Sequence, residues 1–219
     1  TAILNGRVEG AVSDLVRVAR MNKSGAKVKP QIATAAYWQL FTNRNSRIRQ
    51  LNQLDDKMVA MTRYSVTDML ADHVVDSAKL KSERVFKVQI NDVNVRLQMM
   101  LNNEMDAMFV TEPQATLARL AKHKVLLDTR KMNWHMGVIA FREKPMKDVD
   151  RKRQYDVFVK AYNQACDSIN KNGIARYAHL MEKYCRTRSA VLDSIPKTEF
   201  PHAVGPREKD VLRAEKYIK

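Results

Sequence analysis

Polar side chains stand where a predicted strand passes directly into a predicted helix. Residues 57–63 are typical of a buried strand, and the next residues include Tyr64, Ser65 and Thr67. A helix N-terminus offers free N–H groups and a partial positive charge. The planar guanidinium of Arg63 adds donors that suit carboxylate, sulfonate or phosphate. This corner therefore predicts binding of a small anionic ligand, and the alternative that it is an ordinary capping turn with a surface arginine is also open.

Two more corners of this kind occur further along the chain. Asn91 and Asp92 follow the predicted strand 84–90, and Glu112 follows the predicted strand 105–110. Asn and Asp are also favoured helix N-caps, and a carboxylate is stabilised in a first helical turn without any ligand. Capping and ligand binding are therefore both open for these three residues.

An internal similarity places one more carboxylate in the same position. Residues 4–14 and 101–112 each show a helix end, a tight turn, an acidic–small dipeptide, a short apolar strand and then a carboxylate. Ser13 and Asp14 are thereby the counterparts of Glu112. Any helix–turn–strand unit could give this pattern, but it also predicts two similar α/β lobes. Ligands of such sheets bind beyond the carboxyl ends of the strands.

Aromatic residues offer a second kind of ligand contact. Trp38, together with Tyr37 and Trp134, could stack on a ring or line a cleft. Aromatic side chains in strands also serve as core residues, so that alternative is open. The sequence predicts Trp38 as a ligand-binding residue beside the polar corners.

The elements that position these residues alternate between strand and helix, which is typical of an α/β protein. The run 29–42 is long for one strand and predicts a segment that leaves one lobe and enters another. Ser65 followed by Asp68 predicts a capping box, and Pro113 is predicted at a first helical position. Residues 1–6 are predicted as helix, so we expect the protein to extend upstream of Thr1.

Several signatures of enzymes do not occur in the sequence. It has no phosphate-binding glycine loop with Lys-Ser/Thr, no Gly-x-Ser-x-Gly elbow and no His/Cys cluster with zinc spacing. Cys166 and Cys185 are not spaced as metal ligands, and both free thiols and one disulfide are open. We predict no catalytic residue, no metal and no cofactor.

The charge is strongly positive but is spread along the chain. The 219 residues carry a formal net charge of +15, with the densest runs at 142–153 and 207–219. Acidic residues interrupt both runs, and aromatics do not alternate with the basic residues as a nucleic-acid stacking platform requires. We therefore expect a basic, solvated surface without a nucleic-acid partner.

Three stretches carry a resemblance to a known family. They are 4–14, 51–67 and 101–116, and the most specific feature is Glu112-Pro113 a few residues after Asp106-Ala107. In this order and spacing the chain resembles the nitrate/sulfonate/taurine and thiamine-precursor group of periplasmic solute-binding proteins of ABC transporters. Asn103 stands where the family usually has a turn glycine.

The resemblance implies a type II periplasmic-binding-protein-like α/β fold, with two lobes joined by a hinge. Lobe I would comprise 1–43 plus 131–219 and lobe II 44–130, and the family's first strand and helix would lie before Thr1. It further implies a monomer, periplasmic or anchored as a lipoprotein, that presents its ligand to an ABC permease. The ligand would be a small polar solute, such as nitrate, a sulfonate or taurine, or a pyrimidine precursor of thiamine, held in an interlobe cleft.

Two other functions occur on the same fold. One is a small biosynthetic enzyme of menaquinone or thiamine synthesis, and the other is the effector domain of a transcription regulator. The second would account for the positive charge. Catalytic turnover would distinguish the first, and an upstream helix-turn-helix would distinguish the second.

Overall fold

A computed structural model of the protein describes residues 2–218. In chain order its strands and helices are β1 (Gly10–Asp14), α1 (Leu15–Lys23), β2 (Val28–Ala33), β3 (Gln39–Thr42), β4 (Lys57–Met61), α2 (Val66–Ser77), β5 (Val85–Gln89), α3 (Val93–Leu101), β6 (Ala107–Val110), α4 (Gln114–Leu120), β7 (Lys124–Asp128), β8 (Gly137–Arg142), α5 (Val149–Asn172), α6 (Ala178–Cys185) and α7 (Glu208–Tyr217). The alternation of strand and helix predicted from the sequence is confirmed.

The chain forms two compact units. Unit 1 comprises the residues up to Ala36, His135–Ala178 and the residues from Lys197 onward, and unit 2 comprises Tyr37–Trp134 and His179–Pro196. The predicted lobe division differs from these units in three stretches. Residues 37–43, 131–134 and 179–196 lie in unit 2, whereas the prediction counted them in lobe I.

Unit 1 contains a three-stranded antiparallel sheet in the order β1-β8-β2. The register pairs Gly10 with Phe141, and a Cβ at Gly10 would stand only 2.5 Å from the Phe141 ring. Glycine therefore lets the ring lie flat against β1. Ile32, Ile139 and Phe141 form the core here, packed by side chains from α5 such as Tyr155.

Unit 2 contains a five-stranded mixed sheet in the order β5-β4-β6-β3-β7. β4 runs parallel to β5 and β6, while β3 runs antiparallel to β6 and β7. The carboxyl ends of β4, β5, β6 and β7 therefore share one edge with the amino end of β3. A Met-rich core that includes Phe41, Met100 and Met108 fills one layer.

The run 29–42 divides into β2 and β3, which belong to different sheets and different units, as expected of a segment that leaves one lobe and enters another. Local expectations fail at two other places. Residues 2–6 form turns rather than the predicted helix, and Thr1 lies outside the described residues. Pro113 precedes α4 as its N-cap instead of occupying the first helical position. Across residues 2–218, no helix has the length and apolar character needed to cross a membrane.

Candidate functional site

The corner after β4 is held by hydroxyl groups. Ser65 is only 2% exposed and caps α2, where its Oγ accepts the Thr67 N–H at 3.2 Å and donates to the Thr62 carbonyl at 2.7 Å. The Thr67 hydroxyl accepts the Thr62 N–H at 2.9 Å. Both predicted ligand residues, Ser65 and Thr67, therefore lie together and stabilise the turn from strand to helix.

Arg63 and Tyr64 lie outside this buried turn. Arg63 is exposed, and the Tyr64 side chain is 59% exposed on a left-handed backbone with φ of 62°. The predicted capping box takes a different form. The Asp68 carboxylate accepts the Tyr64 N–H at 2.8 Å rather than that of Ser65, because the left-handed residue turns its own N–H toward α2.

The corner after β5 is open to solvent. Asp92 caps α3 by accepting the Asn94 N–H at 2.8 Å, and Asn91 accepts a weak hydrogen bond from Gln89 at 3.4 Å. Both Asn91 and Asp92 are exposed. The structure thus gives Asp92 a capping role and leaves the Asn91 side chain at the surface.

The corner after β6 centres on Glu112, whose two carboxylate oxygens have separate partners. One oxygen accepts the Tyr37 hydroxyl at 2.7 Å and a hydrogen bond from Arg119. The other accepts the N–H and the hydroxyl of Thr116 at 2.9 and 2.7 Å. Glu112 therefore satisfies an N–H in the first turn of α4 and links this helix to the segment that precedes β3.

A second carboxylate extends this network across the sheet edge. Arg119 also donates to Gln39 at 2.6 Å, and Gln39 donates to Asp128 at 2.7 Å. Asp128 pairs with Arg130 at 2.6 Å, and the Arg130 guanidinium lies 3.8 Å from the centre of the Tyr37 ring. We call Tyr37, Gln39, Glu112, Arg119, Asp128 and Arg130 the edge network.

The edge network fixes the protonation of its members. Burial alone would raise the pKa of Glu112, but hydrogen bonds from Arg119, Thr116 and Tyr37 outweigh it and hold that pKa below its usual range. Burial and the hydrogen bond to Glu112 raise the pKa of the Tyr37 hydroxyl. For Asp128, hydrogen bonds from Arg130 and Gln39 outweigh burial and lower the pKa. At neutral pH both carboxylates are charged and Tyr37 donates.

A buried guanidinium joins the ends of the three parallel strands. Arg96, on α3, is 2% exposed and donates to the carbonyls of Ile90 and Phe109 at 2.6 and 2.7 Å. It also donates to the Thr62 hydroxyl. These acceptors lie at the carboxyl ends of β5, β6 and β4 respectively. One side chain therefore forms hydrogen bonds to the ends of all three strands.

In unit 1 the corresponding corner follows β1. Asp14 is 3% exposed, caps α1 by accepting the Arg17 N–H at 3.0 Å, and lies 3.6 Å from the Arg17 side chain. Ser13 is half-buried and pairs with Val138 of β8. These two predicted residues occupy the end of a strand, as the internal similarity indicated.

The aromatic residues divide between two positions in unit 2. Trp38 is half-buried, and its backbone N–H and carbonyl both bond to Thr129 at 3.0 Å. Trp134 packs its ring against His73 at 4.8 Å. Tyr37 is 6% exposed in the edge network, so its ring serves packing and hydrogen bonding rather than an exposed stacking surface.

Sequence reasoning missed the arginines that organise this edge. Arg96, Arg119 and Arg130 were not predicted as site residues, yet each bonds to the end of a strand or to the carboxylate beyond it. The helical positions of Arg96 and Arg119 gave no local signal. Only Arg130, two residues after Asp128, stands close in sequence to the carboxylate that it pairs with.

A cavity is found away from these corners. It measures about 270 Å³ and is found at the opposite, amino-terminal edge of the unit 2 sheet, lined by Asn43, Met58, Asp106 and their neighbours. None of the predicted ligand residues lines it. Within residues 2–218 no group of three or more His, Cys, Asp or Glu side chains is arranged to hold a metal ion.

Comparison with solved structures identifies the fold. No family model matches the sequence, and no curated protein sequence is similar to it. The architecture nevertheless matches that of periplasmic solute-binding proteins, so the predicted resemblance and the predicted fold class are confirmed at the level of fold.

Three solved structures illustrate the match. The periplasmic aliphatic sulphonate binding protein SsuA of Escherichia coli superposes with a TM-score of 0.75 at 17% identity, over 99% of this chain and 75% of that one. The alkanesulfonate-binding protein SsuA of Xanthomonas axonopodis pv. citri, bound to MOPS, gives 0.76 at 15% identity over the same shares. The ligand-binding component of an ABC-type import system from Staphylococcus aureus, with zinc bound, gives 0.74 at 16%, again over 99% and 75%.

Proposed function

We propose that this protein is the substrate-binding component of an ABC importer and captures a small anionic or zwitterionic solute. The observation that carries the proposal is the fold match to solute-binding proteins, two of which are described as sulfonate-binding. The polar carboxyl-terminal edge of the unit 2 sheet supports it, because ligands of α/β sheets bind beyond this edge. Sulfonates, taurine, nitrate and pyrimidine precursors of thiamine are the candidate ligands.

Hydrogen-bond donors that are not used within the protein support an anionic ligand at this edge. Arg63 is exposed and has no hydrogen-bond or ion-pair partner among the described residues. Glu112, by contrast, already accepts four hydrogen bonds within the protein. Arg63 and the exposed Asn91 are therefore the ligand donors in this proposal, while Glu112, Ser65 and Thr67 hold the corners in place.

The proposal extends to location and partner. A solute-binding protein of an importer works where it can collect solute and meet a membrane permease, which for the matched SsuA proteins is the periplasm. We infer the same for this chain, with the carboxyl-terminal edge of the unit 2 sheet as the place of binding. The reaction at this site is binding and release, without covalent chemistry.

Thermal-shift screening followed by calorimetry tests this function. The ligands are alkanesulfonates, taurine, nitrate and amino-pyrimidines, and at least one is expected to raise the melting temperature. Arg63→Gln should then weaken binding roughly tenfold, because it removes a charged hydrogen-bond donor. Arg49→Gln is the matched control, since Arg49 is an exposed arginine of the same unit that precedes β4 instead of following it.

Two outcomes would contradict the proposal. The absence of stabilisation by every ligand of the panel would remove its basis. Equal loss of affinity in Arg63→Gln and Arg49→Gln would show that the effect is one of overall charge, and that the edge after β4 does not hold the ligand.

A further inference from the structure

Three chain segments meet at the end of the unit 1 sheet where β1 and β2 begin and β8 ends. The Arg142 N–H donates to the Glu9 carbonyl at 2.8 Å, and the Glu143 N–H donates to the Lys27 carbonyl at 2.9 Å. These segments bring together six cationic side chains, which we call the basic end: Arg7, Lys27, Lys29, Arg142, Lys144 and Lys147. Glu9 and Glu143 are acidic side chains within these segments, and the exposed Asp148 and Asp150 follow Lys147.

The positive charge of the basic end is not neutralised locally. Five of its members are exposed and Arg142 is half-exposed. Among residues 2–218, no carboxylate lies within 4.0 Å of any of the six charged groups. Glu9 pairs instead with Arg151 of α5, at 3.7 Å. The basic end therefore presents an excess of positive charge to the solvent.

The opposite end of the same sheet carries charges of both signs. There the strand ends carry Asp14, and Arg17 of the adjoining helix pairs with it. Arg207, Lys209 and Asp210 act electrostatically on His135 at this end, and Arg207 pairs with Asp210 at 2.6 Å. Carboxylates thus neutralise part of the positive charge there, whereas no cation of the basic end has a carboxylate partner among residues 2–218.

Exposed aliphatic side chains accompany the basic end. Val149, which starts α5 two residues after Lys147, is 82% exposed, and Leu4, three residues before Arg7, is 46% exposed. Lysines with neighbouring aliphatic groups suit a bilayer surface, where cations meet anionic headgroups and small apolar side chains enter the acyl boundary. Binding of single-stranded nucleic acid calls for aromatic side chains on which bases stack, and neither Val149 nor Leu4 provides one.

We propose that the basic end docks unit 1 on a membrane surface of anionic phospholipid. Each lysine or arginine near such a surface contributes a favourable interaction that falls off within the screening length of the salt. The attraction is weak and reversible, since Val149 and Leu4 offer little area for insertion. The interaction is independent of solute capture, which involves other residues in unit 2.

Vesicle co-sedimentation of the full chain tests this interaction. Vesicles that contain phosphatidylglycerol should retain the protein, pure phosphatidylcholine vesicles should not, and about 1 M salt should release it because the screening length falls to about 3 Å. The triple variant Lys27→Gln, Lys144→Gln, Lys147→Gln should bind anionic vesicles roughly tenfold more weakly or worse.

A second triple variant separates the basic end from net charge. Lys81→Gln, Lys122→Gln and Lys124→Gln remove three exposed lysines of unit 2 and should leave vesicle binding nearly unchanged. Thermal melting of both variants verifies folding. Equal losses in the two variants, or retention on phosphatidylcholine alone, would overturn the proposal. The proposal would also be overturned if the variant Lys27→Gln, Lys144→Gln, Lys147→Gln lost affinity for duplex DNA but kept its affinity for anionic vesicles.

Discussion

Asp14 and Glu112 end similar stretches of sequence, and the structure gives them unequal surroundings. Both follow a short strand and both accept an N–H from the helix that comes next. Asp14 accepts the N–H of Arg17, three residues away, and Glu112 accepts the hydroxyl of Tyr37, 75 residues away. The same local pattern therefore gives a helix cap in unit 1, and in unit 2 a carboxylate at the centre of the edge network.

The difference arises from the neighbouring strands rather than from the carboxylates. β6 is an interior strand, flanked by parallel β4 and antiparallel β3, so the amino end of β3 brings Tyr37 and Gln39 to Glu112. β1 is an edge strand that pairs with β8 alone. The interior position of β6 thus brings distant groups to the carboxylate beyond its end.

Removal of the Glu112 side chain should reduce the stability of the fold more than any other substitution discussed below. Glu112→Ala leaves Arg119 and Tyr37 partly buried without their acceptor, and we expect a loss of about 3 kcal/mol in the free energy of unfolding. Urea denaturation measures it. Glu104→Ala is the control, since Glu104 is exposed in the same unit and should change stability by less than about 0.5 kcal/mol. Similar losses in both variants would contradict the role given to Glu112.

Deletion of one hydroxyl should give the next largest effect. Tyr37→Phe keeps the ring beneath Arg130 but removes the hydrogen bond to Glu112, which should cost about 1.5 kcal/mol because the acceptor is charged. Denaturation of Tyr37→Phe, Glu112→Ala and the double variant forms a cycle. A double variant whose loss equals the sum of the two single losses would show that Tyr37 and Glu112 are not coupled.

The unit 1 carboxylate should respond as a cap. Asp14→Ala removes the acceptor for the Arg17 N–H and should cost about 1 kcal/mol, while Asp14→Asn should be nearly neutral because Asn is an equally good N-cap. Denaturant melts of the two variants measure the difference. If Asp14→Asn were as costly as Asp14→Ala, the negative charge rather than the cap would be the important contribution.

The smallest expected effect is on the stability of the fold at acidic pH. The pKa of Glu112 is lower in the folded chain than its ordinary value of 4.5. Its contribution to stability is therefore complete above that value and is lost as pH falls through the folded pKa. Glu112→Gln should reduce the slope of stability against pH in this acidic range and leave the slope near neutrality unchanged. An unaltered acid slope in thermal melts would contradict the lowered pKa.

Local signals in the sequence predicted the helix starts well. Ser65 and Asp92 cap α2 and α3 as predicted, because a cap depends on an N–H only two or three residues away. Asp14 also caps α1, although the sequence indicated only a ligand-binding position there. The strands 57–61 and 107–110 were likewise predictable from short apolar runs. These features depend on neighbours in the chain.

The edge network could not be predicted, because its bonds join residues far apart. Gln39 and Asp128 are 89 residues apart, and Arg119 and Gln39 are 80 apart. Nothing near Arg119 in sequence distinguishes it from a solvated arginine on the outer face of α4. At residues 2–6 the sequence instead predicted an element that is absent. The local pattern there indicated a helix, but these residues form turns.

Arg96 ties the motion of α3 to that of the sheet. A helix at the surface usually opens by itself, and its amides then exchange with solvent long before those of the strands. Here displacement of α3 would withdraw the guanidinium from the ends of β4, β5 and β6 together. The amides of α3 should therefore exchange with solvent at the same rate as the amides of β4, β5 and β6, because helix and strands open as one cooperative unit.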